Sequence, residues 1–220
     1  MLAAPTTVRL VTSEPRDIVE AGYDHIAMRH LAWINEIRGD PRLRFLHDLM
    51  TRLPSHPAVL DLGCGAGVPC TALLAERGDV VGVDLSGSQL ELARQNVRNA
   101  RFMKADMTAI ELPPASFDAV TAFYSIAHVP RGQHGPLFRR IATWLRPGGH
   151  LLASLGCGGD DGTVDDWLGT PMFFSSHDTQ TNRRLLAEAG LTIVVDEAVT
   201  MQEPEGPAIF QWVIAIKLDH

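Results

Sequence analysis

The sequence predicts an α/β fold: a doubly wound, mostly parallel seven-stranded sheet with an antiparallel C-terminal strand, in three α-β-α layers, plus an N-terminal helical cap. Three features predict it. Strand-like and helix-like segments alternate between Ala58 and Leu155, and repeated βα units demand a parallel sheet covered on both faces. The first of those strands runs into a glycine-rich loop, Gly63–Gly67, and then into a helical segment. Two strand-like segments close the chain with no helix between them, so they pair as an antiparallel hairpin at a sheet edge.

The elements follow in order. Residues 1–14 read as frayed and residues 17–53 as helical, with apolar positions at Ile18, Ile26, Leu31, Ile34, Leu46, Leu49 and Met50. Gly39-Asp40-Pro41 divides that region into two helices, because proline pushes the residue before it out of helical conformation. Ala58–Leu62 is a short apolar strand, Val68–Arg77 a helix ending at Gly78, and Val80–Asp84 a second strand. Ser86 is a good N-cap for a helix running to Arg98. Arg101–Lys104 and Phe117–Tyr124 are the third and fourth strands, Gln133–Leu145 is a helix, and Pro147-Gly148-Gly149 turns the chain into a fifth strand, His150–Leu155. Gly156–Pro171, rich in Gly and Asp, reads as a loop. Asp178 caps a helix over residues 179–188 that ends at Gly190. Leu191–Val199 and Phe210–Leu218 are the last two strands, joined through the turn-rich Glu203–Pro207. The whole is expected to be one domain over 1–220, with a helical cap over 1–56 and a core over 57–220 that carries a substrate-side insertion at 156–178.

Bulk composition narrows the function. A length of 220 residues suits one such domain and is short for two. A net charge of −7, with no long basic run, argues against a surface built to neutralise phosphates. Nucleic-acid and anionic-membrane partners are therefore not expected. The N-terminus lacks the apolar core of a signal peptide, and no stretch reaches bilayer length. Three scattered cysteines form no disulfide framework, so the expected compartment is the reducing cytoplasm.

The densest signal is Val59-Leu60-Asp61-Leu62-Gly63-Cys64-Gly65-Ala66-Gly67. Gly63 and Gly65 let the backbone turn tightly and approach a ligand where a Cβ would intrude. In a doubly wound sheet the carboxyl edge of this strand is where ligands sit. The spacing is G-x-G-x-G, neither the dinucleotide fingerprint nor a P-loop. Asp84 ends the second strand, where an acid can accept from both hydroxyls of a ribose. Asp106 follows the third strand. Three acids at three adjacent strand ends suit a cationic, ribose-bearing cofactor.

With VLDLGCGAG, VVGVDLS, FMKADM, FDAV and LRPGGHLL in this order, the chain resembles the class I, Rossmann-like S-adenosylmethionine (SAM)-dependent methyltransferases of the small-molecule type. The resemblance implies SAM as cofactor and assigns roles residue by residue. Gly63, Gly65 and Gly67 line the methionine part of SAM, and Asp61 fixes that loop and faces the amino group. Asp84 binds the ribose diol, with Leu85 beside the adenine. Asp106 accepts from the adenine amine, the Met107 amide meets the ring, and Tyr124 lies by the methionine tail. Tyr23-Asp24 resembles the "YD" helix that folds over the cofactor in small-molecule members, which would bring Tyr23 to the SAM carboxylate. The alternative for Tyr23 is simple packing on the core.

Specificity must come from outside the shared cofactor part. The candidates are the N-terminal helices and the Gly156–Asp178 segment, whose mix of aromatic, apolar and acidic residues suits a pocket for a modest organic molecule. His128, just past the fourth strand, is the first candidate for general base or substrate orienter, and His177 the second. For each, the alternative is a structural, hydrogen-bonded ring. Arg131 reads as a surface residue, with binding of an acidic substrate as the alternative. Cys157, Asp160, Asp161, His128 and His177 match no metal motif, and no metal is expected. The expected activity is methyl transfer from SAM to an O, N or S atom of a small molecule, by a monomer or homodimer. An RNA or protein methyltransferase and a non-catalytic SAM-binding module are the alternatives.

Overall fold

A computed structural model describes residues 14–218. The frayed segment expected over residues 1–14 lies outside them, apart from Glu14. The chain runs α1 (Pro15–Ile34), α2 (Arg42–Thr51), β1 (Ala58–Leu62), α3 (Cys70–Ala75), β2 (Asp79–Asp84), α4 (Gly87–Asn96), β3 (Arg101–Lys104), β4 (Phe117–Ala122), α5 (His134–Trp144), β5 (Leu145–Gly156), β6 (Asp161–Trp167), β7 (Thr170–Ser175), α6 (Thr179–Glu188), β8 (Leu191–Glu203) and β9 (Gly206–Lys217). Seven strands form one sheet in the order β3-β2-β1-β4-β5-β9-β8. The first five are parallel, and β9 runs antiparallel to both β5 and β8. This is the doubly wound sheet with an antiparallel C-terminal strand that the alternation predicts.

Side-chain alternation along the central strands sends residues to two cores. Leu60 and Leu62 of β1 and Val213 of β9 meet Leu137, Phe138 and Ile141 of α5 and Leu186 of α6. Val59, Trp212 and Ile214 meet Phe45, Leu46 and Leu49 of α2 and Leu74 of α3 on the other face. Phe45 stacks on Trp212 with ring centres 4.8 Å apart. The two N-terminal helices therefore part company. α2 belongs to a layer of the sandwich, and only α1 is a cap.

α1 is held over the carboxyl ends of the strands by specific contacts. One oxygen of Asp24 accepts from the Ser86 hydroxyl at 2.6 Å and from the Ser88 amide at 3.0 Å. Glu20 pairs with Lys104 at 2.7 Å. Val19 and Ile26 pack on Met172 and Phe173 of β7. The approach is so close that a Cβ on Gly22 would lie 2.7 Å from the Met172 methyl.

Several expectations are corrected. The loop expected over Gly156–Pro171 is largely a hairpin, β6 and β7 paired antiparallel. Leu168 and Gly169 form its turn, both with positive φ, the geometry that a two-residue hairpin connection requires. Only Gly169 signals that turn in sequence. The last two strands extend to Glu203 and from Gly206, leaving a short turn at Pro204-Glu205. The fourth strand ends at Ala122 and not at Tyr124, because Tyr124 takes a left-handed φ of 56°. The helix expected over Val68–Arg77 shortens to Cys70–Ala75. Among the described residues no helix is long and apolar enough to cross a membrane.

Asp24→Ala should loosen the roof without dissolving the core. Hydrogen exchange of the α1 amides should rise strongly, while global stability falls by about 1–3 kcal/mol, the scale of two hydrogen bonds to a carboxylate. Unchanged exchange in α1 would show that Asp24 does not hold it.

Candidate active site

The carboxyl ends of β1, β2 and β4 open into a cavity of about 1160 Å³, roofed by α1 and the β6–β7 hairpin. It sits where the sheet order reverses, between β1 and β4, the usual ligand position of an open α/β sheet.

Its floor is the loop after β1. Gly63, Gly65 and Gly67 all have positive φ. Gly63 has a second reason to be glycine: a Cβ there would lie 2.2 Å from that of Ser125 at the end of β4. Beside Gly65 a Cβ would meet only the Gln89 side chain, 3.7 Å away, so this backbone faces the cavity. Asp61 lies below the loop, 2% exposed, accepting from Thr71 at 2.6 Å and Thr121 at 2.7 Å. Burial raises its carboxyl above the ordinary range, against the pull of the two hydroxyls.

Asp84 joins two elements. One oxygen accepts from the Gly65 amide at 2.8 Å and the other from the Ser86 amide at 2.9 Å. Burial lifts it to about 6, although the Ser86 and Gly65 amides oppose the shift. Leu85 packs into the small core under α1. Asp106 accepts from the amide and hydroxyl of Thr108 at 2.8 and 2.7 Å and faces Arg16 at 3.7 Å. Asp106 and Met107 line the cavity.

Tyr124 lines it too. The hydroxyl donates to Asp40 at 2.7 Å, the guanidinium of Arg42 lies 4.9 Å from the ring centre, and the amide donates to Ser154 at 2.6 Å. These contacts hold a left-handed backbone that a tyrosine rarely adopts.

Above the loop, Tyr23 and His128 form a pair. The His128 Nδ1 lies 2.8 Å from the Phe173 carbonyl, which can only accept, so Nδ1 carries the proton. The Nε2, 2.8 Å from the Tyr23 hydroxyl, then accepts from it. Burial lowers His128 to about 4 and pushes the Tyr23 phenol up, with help from the charges of Asp84 and Glu203. Both groups are therefore neutral near pH 7. His30, Trp33, Trp167 and Phe174 complete an aromatic chamber, with Tyr23 5.0 Å from His30 and 5.8 Å from Trp167 between ring centres. Burial, then the charges of His128 and Arg42, lowers His30 to about 4.

The cavity thus gathers Tyr23, Asp61, Gly63, Gly65, Asp84, Leu85, Asp106, Met107, Tyr124 and His128; Gly67, expected with them, does not line it, and a Cβ there would meet Val97 and Ala93 at 3.1 and 3.4 Å. His177 is not among its lining residues. The His177 ring lies 3.0 Å from the Arg131 carbonyl and packs edge-on against His134, a structural arrangement. Arg131 is exposed and pairs with Asp161 at 3.1 Å. Among the described residues no three His, Cys, Asp or Glu side chains converge as metal ligands would. Sequence reasoning missed Gln89, His30, Trp33 and Glu203, all lining the cavity. For His30 and Trp33 a signal exists: they lie seven and ten residues beyond Tyr23, on one face of a helix.

Comparison with known proteins agrees with this architecture. Residues 59–149 match a family model described as a methyltransferase domain. A trans-aconitate 2-methyltransferase of Azoarcus sp. is 41% identical over 53% of this chain and 46% of its own. The methyltransferase GfsG of Streptomyces halstedii is 33% identical over 69% of this chain and 59% of its own. The chain spans about half the length of these curated relatives. Among solved structures, a Burkholderia thailandensis 1,6-didemethyltoxoflavin-N1-methyltransferase, with 1,6-didemethyltoxoflavin and S-adenosylhomocysteine bound, superposes with a TM-score of 0.69, covering 98% of this chain and 95% of that one at 22% identity.

The neutral His30 gives a pH test. Its folded value near 4 lies below the ordinary 6.5, so as pH falls the unfolded chain takes up the proton first. Its contribution is present above about pH 6.5 and lost as pH falls through about 4. Relative to His30→Phe, the parent should lose up to roughly 3 kcal/mol of unfolding free energy between pH 7 and 4 in urea titrations. Parallel pH profiles would show that the ring is not desolvated.

Proposed function

We propose that the protein is a class I, SAM-dependent enzyme that transfers a methyl group from SAM to a small organic acceptor, releasing S-adenosylhomocysteine, a reading supported by the match of residues 59–149 to a methyltransferase-domain model. One observation carries the reading: the glycine cradle and the aromatic chamber are two parts of one continuous cavity.

The residues present fit the cofactor. The left-handed Gly65 leaves the cradle open where a side chain would stand, whereas Gly63 and Gly67 are glycine because a Cβ would crowd Ser125 or Val97. Asp84 keeps lone pairs beyond its two amide partners, as a ribose diol requires, and Asp106 with Met107 lies further along the same wall. The Gln89 Oε1 is buried without a hydrogen-bond partner and faces this cradle, which suits a donor on a ligand. When bound, SAM supplies an electrophilic methyl group on a sulfonium.

The protein's part is alignment and exclusion of water. Tyr124, fixed by Asp40, Ser154 and Arg42, forms a rigid wall. The rings of Tyr23, Trp167 and Phe174 close the acceptor side. A His128 held near 4 is a weak base at neutral pH, so it serves as an orienter and not as a strong proton acceptor. It fixes the Tyr23 phenol, whose oxygen has lone pairs left to receive a donor from the acceptor molecule. The named acceptors of two similar proteins, trans-aconitate and 1,6-didemethyltoxoflavin, are small organic molecules, which supports an acceptor of that size.

Incubation with methyl-labelled SAM and a panel of phenols, acids, amines and thiols should yield labelled product and S-adenosylhomocysteine with at least one small acceptor. Binding of SAM without turnover across the panel would favour a non-catalytic module. Asp84→Ala should weaken SAM binding about tenfold to a hundredfold in calorimetry, the worth of 1–3 kcal/mol of hydrogen bonds. Unchanged affinity would remove Asp84 from the cofactor site.

A further inference from the structure

Charge and hydrogen-bonding capacity in the acceptor half of the cavity identify the class of molecule that fits it. Carboxylates outnumber guanidiniums along the cavity wall as a whole, Asp61, Asp84 and Asp106 of the cofactor side among them. Both lining arginines are already engaged. Arg16 faces Asp106 at 3.7 Å, and Arg42 pairs with Asp40 while lying over the Tyr124 ring. Arg131 lies outside the lining, paired with Asp161. A carboxylic acid entering this space would find no uncommitted cation among these groups.

Three of the chamber's donors are committed in the same way, while the Trp167 indole N–H has no acceptor among the described residues. The Tyr23 hydroxyl donates to His128, the Trp33 indole N–H to Glu205 at 3.0 Å, and the His128 Nδ1–H to the Phe173 carbonyl. An acceptor is left over. Glu203, at the end of β8, lines the cavity, and its carboxylate has no hydrogen-bond or ion-pair partner among the described residues. Burial, then the charges of Glu205 and Asp40, raises it to about 7, so an arriving cation would favour its charged form; Asp40 is itself held by Arg42 and Tyr124, and Glu205 by Trp33. Around this space stand the π faces of Tyr23, Trp33, Trp167 and Phe174 with the imidazoles of His30 and His128. Aromatic faces attract cations, most strongly when water is excluded. The two imidazoles are kept uncharged by burial, so they do not repel one.

We propose that the acceptor molecule carries a basic nitrogen, and that the aromatic chamber of Tyr23, Trp33 and Trp167 together with the Glu203 carboxylate selects this cationic class against carboxylic acids. The proposal rests on the methyltransferase reading for its word "acceptor". The selectivity is a property of the chamber and can be measured without turnover.

Three probes of one shape separate the charges: phenethylamine, 2-phenylethanol and phenylacetate. Each is titrated into the full chain, with and without S-adenosylhomocysteine, and read by tryptophan fluorescence, since Trp33 and Trp167 lie in the chamber. Phenethylamine should bind at least tenfold more tightly than phenylacetate, with the alcohol between. Glu203→Gln should remove most of the amine's advantage and leave the alcohol and S-adenosylhomocysteine affinities unchanged. Trp167→Leu should weaken the amine and the alcohol together. Equal or tighter binding of phenylacetate would overturn the proposal, as would an amine preference that survives Glu203→Gln. Calorimetry with S-adenosylhomocysteine separates the two readings: no binding defeats the methyltransferase reading, whereas normal binding without amine preference defeats only this one.

Discussion

The arrangement depends on one half-buried carboxylate. Asp84 ends β2 and spends its two oxygens on the Gly65 amide of the loop after β1 and the Ser86 amide at the start of α4. Two adjacent strand ends are thereby fixed relative to each other. Ser86 passes the constraint on, because its hydroxyl donates to Asp24 of α1. A line from the glycine loop through Asp84 and Ser86 to the roof thus runs through three hydrogen bonds. The carboxylate bears the cost of burial, which is why it is held near 6. A group that costs folding energy at neutral pH and is kept at a ligand-facing position is typical of a functional site.

The second organising fact is the desolvation of three titratable rings under that roof. Burial depresses His30 and His128 and raises the Tyr23 phenol, so three groups that could carry charge are all neutral. Neutral rings pack edge to face at ordinary aromatic distances. The wall is then apolar in its surface, and the negative charge left in it comes from carboxylates such as Asp84, raised to about 6, and Glu203, raised to about 7. Field and surface act at different ranges. The first draws a ligand of one sign toward the mouth, and the second holds whatever organic body it carries.

Much of the fold was legible before any coordinates. Strand–helix alternation, the glycine loop and the capping serine are local signals, and local signals survive because backbone propensity and periodicity act over a few residues. The gathering of Asp61, Gly63, Gly65, Asp84 and Asp106 at one cavity was legible for the same reason: they lie at or just beyond strand ends, and the strand order brings those ends together. The acceptor side was not. Nothing near Trp167 in sequence announces that it meets Tyr23, His30 and Trp33, because the contact is made across the roof by two segments far apart in the chain. The hairpin itself was hidden by its composition, since Asp and Gly read as loop until Met172 and Phe173 find Val19 and Ile26 to pack against. His177 illustrates the opposite failure. A histidine at a promising place in sequence is turned by its neighbours toward the Arg131 carbonyl and away from the cavity.

By itself the sequence determined the sheet, its reversal point and the cradle at that point, because these follow from which residues can turn, cap and alternate locally. Only the tertiary structure decided the state of the acceptor chamber: that His128 is neutral and points its acceptor nitrogen at Tyr23, that the lining arginines are engaged, and that Glu203 is left without a partner. Those properties depend on desolvation and on pairing between distant segments, and neither is a property of any residue until the chain has closed around it.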